Sequence, residues 1–282
     1  MMLQTEQEKF EWELIYSYVI PIGVSVIVIF ILYRLIKTFQ FLYVSFFKKP
    51  VFVHHYIKLK KLNTEQYSIL KNEYEFFRNL SYKQQRHFEH RVATFIKKTE
   101  FVGMQELVVT EQMKVLMAAT SIMLTFGFRK YLLDILKTVI IYPKAYYSTI
   151  NETHHKGETN PQLKAIVFSW EDFKQGYHIG DDNLNLGIHE FGHAIHLNAS
   201  LNNDVSSVIF NQGFHNLITY LQNHQTVREN LIASKYFRAY AFTNHFEFFA
   251  VLLENFIETP SEFKSQFPEL YKYIRQMLNF KF

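Results

Sequence analysis

The segment His189-Glu190-Phe191-Gly192-His193 restricts the fold more than any other part of the chain, because its chemistry requires an α-helix. Residues four apart on a helix point in the same direction, so two imidazoles at this spacing can bind one cation, with Zn–N distances of about 2.0–2.1 Å. Glu190 lies one step round the helix, where it can take a proton from a water at the metal's open position. The motif therefore predicts a helix that carries one zinc ion, with His189 and His193 as ligands and Glu190 as the general base.

The residues around this motif favour a buried helix. Asn183 or Asn185 can cap its start. The motif is surrounded by apolar side chains: Leu184, Leu186, Ile188, Phe191, Ala194, Ile195 and Leu197. Two histidines and a glutamate on such a helix are costly without a partner such as a metal ion. The context thus supports the zinc interpretation over a chance match.

Composition fits one globular domain with a short additional segment. Hydrophobic residues make up 48% of the chain, and only 9 Gly and 6 Pro interrupt it, so a large core and high helix content are expected. The net charge of +4 is spread thinly, and no basic block is typical of a nucleic-acid-binding arm, so nucleic acid is not expected as a partner. The chain has no cysteine, which excludes disulfides and a thiolate-ligated zinc.

An apolar segment near the N-terminus predicts a membrane anchor. The twenty residues Leu14–Tyr33 carry no charge, and at about 1.5 Å per residue they span the roughly 30 Å hydrocarbon layer. A cleaved signal peptide is the competing interpretation, but it needs a basic N-terminal region and a cleavage site with small residues. The segment Val115–Phe128 has only fourteen uncharged residues, which is typical of a buried core helix.

The charges that flank the anchor predict its orientation. Its N-terminal side is acidic and its C-terminal side is basic, with Glu6, Glu8, Glu11 and Glu13 before it and Arg34, Lys37, Lys48, Lys49, Lys58, Lys60 and Lys61 after it. An excess of Lys and Arg marks the cytoplasmic side. We therefore expect a single-pass protein of the cytoplasmic membrane with its catalytic domain in the cytoplasm. Residues 34–49 are either an interfacial segment or a continuation of the membrane helix.

Residues 1–49 are thus expected to form the anchor and juxtamembrane segment, and residues 50–282 the catalytic domain. In that domain the pattern predicts an α+β fold that is mostly helical, with a small sheet beside the zinc helix. A helix capped by Thr64 is predicted to run to Leu80, and further helices are predicted from Ser81 to about Lys98, from Thr110 to Gly127, and around 205–222, 244–257 and 268–278. Strands are predicted at Thr138–Tyr142 and Ala165–Phe168, and the second is expected to line the cleft and pair with a peptide. His154 and His155 are expected in a loop.

A zinc site of this type needs a third protein ligand. Metzincins have glycine and histidine where this chain has His196 and Ala199, and thermolysin-like enzymes have a glutamate in a region where this chain has none before Glu229. Asp204 is the first later carboxylate, but it lies in a polar turn that favours a helix N-cap. Glu247 lies in a very apolar helix, where an unpaired carboxylate is costly. Glu247 is therefore the predicted third ligand, with a partly exposed helix carboxylate as the alternative.

Two further residues near the motif are candidates for a supporting role. Glu254 lies two turns beyond Glu247 on the same helix face, where it can orient a ligating histidine. His196 follows His193 by three positions, and a surface or supporting role is expected for it rather than that of a fourth ligand.

The C-terminal third of the chain resembles a known family. Thr243–Val251, Glu254-Asn255-Phe256 and Phe267–Tyr271 are similar to the C-terminal signature of the Mlc titration factor A family. The resemblance extends upstream through three more segments and covers roughly residues 63–280; these segments are Val115–Thr125, Ile140–Pro143 and Val167–Asp172.

This resemblance implies a glucose-regulated zinc metallopeptidase with a fold similar to the anthrax lethal factor protease domain. It implies that His189, His193 and Glu247 bind one zinc ion, that Glu190 is the base, and that Tyr240 faces the scissile carbonyl. Characterised members act as aminopeptidases, and one binds a transcriptional repressor. Family members often carry an acidic residue where this chain has His196, and the well-known member lacks an anchor.

The leading functional hypothesis is therefore a membrane-anchored zinc metallopeptidase that hydrolyses peptides or proteins and is aminopeptidase-like. The alternative is a membrane-tethered binding protein that sequesters a transcriptional regulator with little catalysis. The intact Glu190 favours the enzyme, because a protein that only binds has no need of a base.

Overall fold

The computed structural model describes residues 2–148 and 153–281. The chain divides into two compact units, Met1–Val51 and Phe52–Phe282. The division falls close to the predicted boundary between residues 49 and 50.

The first unit is a long helix with an exposed apolar surface. It consists of α1 (Met2–Leu14), a π-helical stretch (Ile15–Val19) and α2 (Ile20–Phe47). The part from Glu8 to Phe47 is long and apolar enough to cross a membrane, and a signal sequence would pass the same test. Lys48 adopts a left-handed backbone conformation, with φ of 53°, where the helix ends. Most of the segment after Tyr33 therefore continues the helix, as one of the two interpretations predicted.

The second unit is mostly helical. Its helices are α3 (Thr64–Glu73), α4 (Glu75–Asn79), α5 (Tyr82–Lys98), α6 (Glu111–Leu124), α7 (Trp170–His178), α8 (Leu186–Leu201), α9 (Val205–Asn223), α10 (Gln225–Ala233), α11 (His245–Glu258), α12 (Pro260–Gln266) and α13 (Pro268–Met277). The polar capping residues explain several of these starts. The backbone N–H of Ser81 donates to Gln84 before α5, and Thr110 accepts the backbone N–H of Met113 at the start of α6.

The predicted helix from Thr64 to Leu80 is wrong in two details. Asn63, rather than Thr64, is the N-cap, since its side chain accepts the backbone N–H of Gln66. The helix also breaks at Tyr74, which adopts an extended conformation between α3 and α4. Tyr74 is buried and its hydroxyl lies 3.3 Å from Thr120 of α6. Tertiary packing of this aromatic ring thus overrides the helical pattern.

Six short strands lie among the described residues of this unit. They are β1 (Glu100–Gly103), β2 (Thr138–Tyr142), β3 (Tyr146–Ser148), β4 (Thr153–His155), β5 (Gly157–Asn160) and β6 (Ala165–Ser169). A four-stranded sheet has the order β1-β2-β6-β5, in which β1, β2 and β6 are parallel and β5 is antiparallel to β6. Strands β3 and β4 form a separate antiparallel pair. The predicted α+β class, mostly helical with a small sheet, is confirmed.

The sheet order contradicts one prediction. Strand β6 pairs with β2 on one side and with β5 on the other, so it cannot accept a peptide as an additional strand. Strand β5, which was not predicted, is the edge of the sheet on this side. His154 and His155 lie in β4 rather than in a loop.

The core of the second unit surrounds α6 and α8. Helix α6 is buried along almost its whole length and packs against α3, α5 and α8, as its fourteen-residue apolar run predicts. Helix α8 also contacts α9, α11 and strand β5. The helix that carries the histidine motif is therefore fixed between the sheet and α11.

Candidate metal centre

Helix α8 presents the two motif histidines on one face. Asn185 caps this helix by accepting the backbone N–H of Ile188, as one of the two predicted caps. The Nε2 atoms of His189 and His193 are 3.1 Å apart, and their rings are almost perpendicular. The spacing of four residues thus brings two ring nitrogens to one point, as the sequence predicts.

Helix α11 brings a carboxylate to the same point. Asn244 caps α11 and accepts the backbone N–H groups of Phe246 and Glu247, which fixes the first helical turn. Glu247 Oε2 lies 3.0 Å from His189 Nε2 and 3.5 Å from His193 Nε2. The structure therefore brings the predicted third ligand to the two histidines. Asp204 instead caps α9, where it accepts backbone N–H groups of Ser206 and Ser207.

The three ligand atoms have the spacing of a tetrahedral zinc site. With metal–ligand distances of about 2.0–2.1 Å, the edge of a tetrahedron is about 3.3–3.4 Å. The observed separations of 3.0, 3.1 and 3.5 Å bracket this value. Glu247 Oε2 is buried and has no partner with hydrogen-bond geometry among the described residues. Two imidazoles and a carboxylate also suit zinc chemically, so the residues fit this ion.

The electrostatics of the site favour a cation at this point. Burial by itself would lower the pKa of His189, but the carboxylates of Glu247 and Glu254 beside it raise that pKa to about 9. Burial would raise the pKa of Glu247, but the two neighbouring imidazoles hold it well below its usual range. A proton on His189 and a metal ion at the three ligand atoms are alternative ways to compensate the same negative charge.

Glu254 contacts His189 through Nδ1, the ring nitrogen that does not face the other candidate ligands. Its Oε1 lies 2.6 Å from Nδ1 of His189, and the carboxylate is fully buried. Arg238 donates to both carboxylate oxygens at 2.7 and 2.8 Å, and the backbone N–H of Asn185 donates to Oε2. Glu254 therefore connects the first histidine, the cap of α8 and the segment that precedes Tyr240. The sequence suggested this role for Glu254, whereas Arg238 was not anticipated.

Glu190 faces strand β5. Its side chain is buried, and the Thr159 hydroxyl lies 3.0 Å from its Oε2 and 2.9 Å from its backbone oxygen. Gly157 allows this close approach, because a Cβ there would lie 2.8 Å from Cγ of Glu190. Burial raises the pKa of the Glu190 carboxyl, against the opposing effect of His193 and His189. The candidate base is thus placed by the sheet edge as well as by its own helix.

Tyr240 lies beside the histidines. It belongs to a 3-10 turn, Ala239–Phe242, and its ring centre is 6.0 Å from that of His189. About half of the side chain is exposed to solvent. Burial and the nearby Glu247 raise the pKa of its hydroxyl to about 12, so Tyr240 is a neutral hydrogen-bond donor at neutral pH.

His196 is separate from the cluster of ligand atoms. It is buried, and its ring packs 4.2 Å from that of Phe214 and 4.4 Å from that of Phe246, measured between ring centres. Burial lowers its pKa to about 4, so it is a neutral core residue at neutral pH. Of the two roles expected for His196, the surface position is therefore wrong, and the supporting role stays a prediction.

A cleft of about 380 Å³ opens onto the centre. His189, Glu190 and Tyr240 line it on one side. His154 and His155 of β4, Gly157 of β5 and Lys156 between the two strands line it on the other. The cleft is large enough for a few residues of an extended peptide, and it lies along the edge of the sheet at β5, which pairs with no second strand among the described residues.

Comparison with known sequences identifies the type of protein to which this centre belongs. Residues 52–279 match the family model of the glucose-regulated metallopeptidase M90 family. The chain belongs to this family. The resemblance to the Mlc titration factor A family is thereby confirmed, and the M90 match spans almost all of the second unit. M90 membership assigns the chain to a metallopeptidase family, and the cluster of His189, His193 and Glu247 supplies a site that could hold the metal.

A relative of this M90 chain is an uncharacterized protein from the cyanobacterium Synechocystis sp.. It is 24% identical over 232 residues, which cover 74% of this chain and 81% of the relative. The similarity therefore extends over most of both proteins.

The sequence did not predict a role for two residues of the centre, Arg238 and Thr159. Arg238 precedes Tyr240 by two positions, and its partner Glu254 lies sixteen residues further along the chain. Thr159 lies in a polar stretch that does not resemble a strand. The only local signal was the burial expected for Glu254 in its apolar helix, because a buried carboxylate needs a partner.

Proposed function

We propose that this chain is a membrane-anchored, zinc-dependent peptidase that hydrolyses peptide bonds and has aminopeptidase-like specificity. The convergence of His189, His193 and Glu247 beside the buried Glu190, with His189 and Glu190 lining a cleft, is the observation that carries the proposal. Membership of the metallopeptidase family supports it. A protein that only bound a regulator would need neither the ligand set nor the base.

His189, His193 and Glu247 would hold one zinc ion per chain. Zinc supplies a Lewis acid that polarises a carbonyl and increases the acidity of water. The buried carboxylate of Glu190 accepts the proton of the attacking water and delivers it to the leaving amine. The Tyr240 hydroxyl donates a hydrogen bond to the oxygen on which negative charge develops.

Strand β5 would align the substrate. Its outer edge has no strand partner among the described residues, and it borders the cleft. An extended peptide can add to such an edge through main-chain hydrogen bonds, which bind the backbone without regard to sequence. The peptide would then run past Glu190, because Gly157 and Thr159 of β5 contact that residue.

The apolar helix would anchor the enzyme in the cytoplasmic membrane, with the second unit in the cytoplasm. Support comes from the length of the Glu8–Phe47 helix and from the basic residues that follow it. Carbonate extraction of membranes tests the anchor, which should remain in the pellet. A C-terminal reporter that is active only outside the cytoplasm tests the orientation, and activity of that reporter would reverse the assignment.

The proposed reaction is tested with the full-length chain in detergent and a library of fluorogenic peptides with free and blocked N-termini. Cleavage should require the metal and return when zinc is added after a chelator. Glu190→Gln should retain the metal and lose cleavage. Cleavage that persists in Glu190→Gln, or after complete removal of the metal, would overturn the mechanism. Preference for peptides with free N-termini would establish the aminopeptidase specificity. Cleavage of peptides with blocked N-termini would show that the enzyme is an endopeptidase instead.

A further inference from the structure

A surface of the second unit outside the catalytic cleft exposes an isolated aliphatic side chain among cations. It lies in residues 52–62, which we call the Ile57 loop. Ile57 is completely exposed, at 103% of its reference area. Exposure of an isoleucine side chain to water does not stabilise the fold. The exposure of Ile57 therefore indicates a function only if other contacts hold the loop in this conformation.

The Ile57 loop is held in place by helix α5. The buried guanidinium of Arg91 donates to the Tyr56 hydroxyl at 2.6 Å. The backbone N–H of Lys60 donates to His90 Nδ1 at 2.8 Å, and that of Leu62 donates to Glu89 at 3.1 Å. The residues on both sides of Ile57 are therefore fixed to α5. Its exposure follows from the fold of the loop.

Cations predominate around Ile57, although the Glu89 carboxylate of α5 accepts the backbone N–H of Leu62 on the same surface. The rings of His54 and His87 are 4.5 Å apart, so the loop runs along the first turns of α5. Five exposed cations lie on the loop and on these turns: Lys58, Lys60, Lys61, Lys83 and Arg86. None of the five forms an ion pair with another described residue. Tyr82, at the start of α5, adds an aromatic ring to this surface, and its side chain is 77% exposed.

We propose that the Ile57 loop and the start of α5 dock onto an anionic lipid surface, with Ile57 and Tyr82 in the interfacial layer and the five cations against the lipid phosphates. The inference rests on the proposed membrane anchor. Cations bind anionic headgroups, and an aliphatic or aromatic side chain among them gains energy on entering the bilayer interface. Phosphates of a nucleic acid would use the cations but would leave Ile57 without a role.

The chain connection favours the same partner. Nine residues, 48–56, separate Phe47, the last residue of α2, from Ile57. A connection this short keeps the loop at a high effective concentration near any bilayer that the helix enters. Even weak attraction by each cation would then suffice to hold the loop at the lipid surface.

The absence of cysteine permits a direct test with single labels. Ile57→Cys, Val108→Cys and Ile29→Cys would each carry an environment-sensitive fluorophore in the full-length chain. Val108 is a matched control, since it is also apolar and 81% exposed but has no Lys or Arg within four positions. Ile29 lies in the middle of the apolar helix and reports on the anchor. The proteins would be placed in nanodiscs that contain brominated phosphatidylcholine with or without phosphatidylglycerol.

In nanodiscs with phosphatidylglycerol, we expect strong quenching and a blue shift of the fluorophore at position 57, and neither at position 108. Replacing Lys58, Lys60 and Lys61 by Gln should remove most of this quenching, as should about 1 M salt, which shortens the Debye length to about 3 Å. If the fluorophore at 29 is quenched but those at 57 and 108 respond alike, or if phosphatidylglycerol has no effect at 57, the docking inference is wrong. If the fluorophore at 29 is not quenched, the anchor itself is wrong.

Discussion

His189 Nδ1 lies 2.6 Å from Oε1 of Glu254, so a carboxylate from α11 orients the first histidine of the α8 motif. A hydrogen bond from Nδ1–H to this carboxylate leaves the lone pair of Nε2 directed at His193 and Glu247. Helix α11 therefore contributes to the centre in two ways. It provides one candidate ligand, Glu247, and it provides Glu254, which orients a second candidate ligand on α8.

Replacing Glu254 by Gln should weaken zinc binding by about 10–100-fold, because the amide is a weaker acceptor for Nδ1–H and can also present its NH₂ group. Competition with a fluorescent chelator measures this affinity. Glu258→Gln is the matched control, since Glu258 lies one turn later on α11 and bonds Asn185 rather than His189. Equal zinc affinity in wild type and Glu254→Gln would show that Glu254 has only a structural role.

Thr159 should matter for turnover rather than for metal binding. Thr159→Val keeps the shape of the side chain but removes the hydroxyl beside Glu190, and a hydrogen bond to a carboxylate is typically worth about 1.5–3 kcal/mol. We expect kcat to fall by about tenfold or more, with unchanged zinc content and little change in KM. Thr159→Ser should recover most of the activity. If Thr159→Val and Thr159→Ser have the same kcat, the Thr159 hydroxyl donates to the backbone oxygen of Glu190 and does not position its carboxylate.

The local parts of the centre were predictable from the sequence because they depend on helical spacing. His189, His193 and Glu190 share one helix, and Glu247 was detected because a carboxylate in an apolar helix needs a partner. The edge strand was not predictable. Gly157–Asn160 contains a glycine and polar residues, and it is a strand only because β6 offers a partner. The contact between Arg238 and Glu254 likewise depends on the turn that separates them.

Stability should fall as the pH rises through neutrality, because of Glu258. Burial raises the pKa of this carboxyl to about 7 in the folded chain, and one of its oxygens has no partner among the described residues. The folded state thus holds a proton that the unfolded state, with a pKa of about 4.3, has released. This contribution is fully present below about pH 4 and is lost as the pH passes 7.

Glu258→Gln should therefore raise the free energy of unfolding at pH 8 by about 1–2 kcal/mol, a value reduced for the partial exposure of the side chain. At pH 4 the variant and the wild type should differ little. Urea titrations at both pH values, with a chelator present throughout, measure the difference. Glu262→Gln, at an exposed position of α12, controls for the change of charge. A variant that is equally stabilised at both pH values would contradict the assignment.

Tyr240→Phe tests the remaining candidate catalytic group. The ring of Tyr240 lies beside His189 on the cleft wall, and its hydroxyl is neutral at neutral pH, so it can donate a hydrogen bond to a developing oxyanion. Such a bond lowers the barrier because it is stronger in the transition state than in the ground state. Removal of one donor of this kind typically slows turnover by about 10²–10³-fold. We expect kcat to fall in this range while zinc content and thermal stability remain unchanged, since about half of the side chain is exposed. Tyr236→Phe, in the same segment but outside the cleft lining, is the matched control and should retain full activity. A near-normal kcat in Tyr240→Phe would show that Tyr240 acts only as part of the cleft wall.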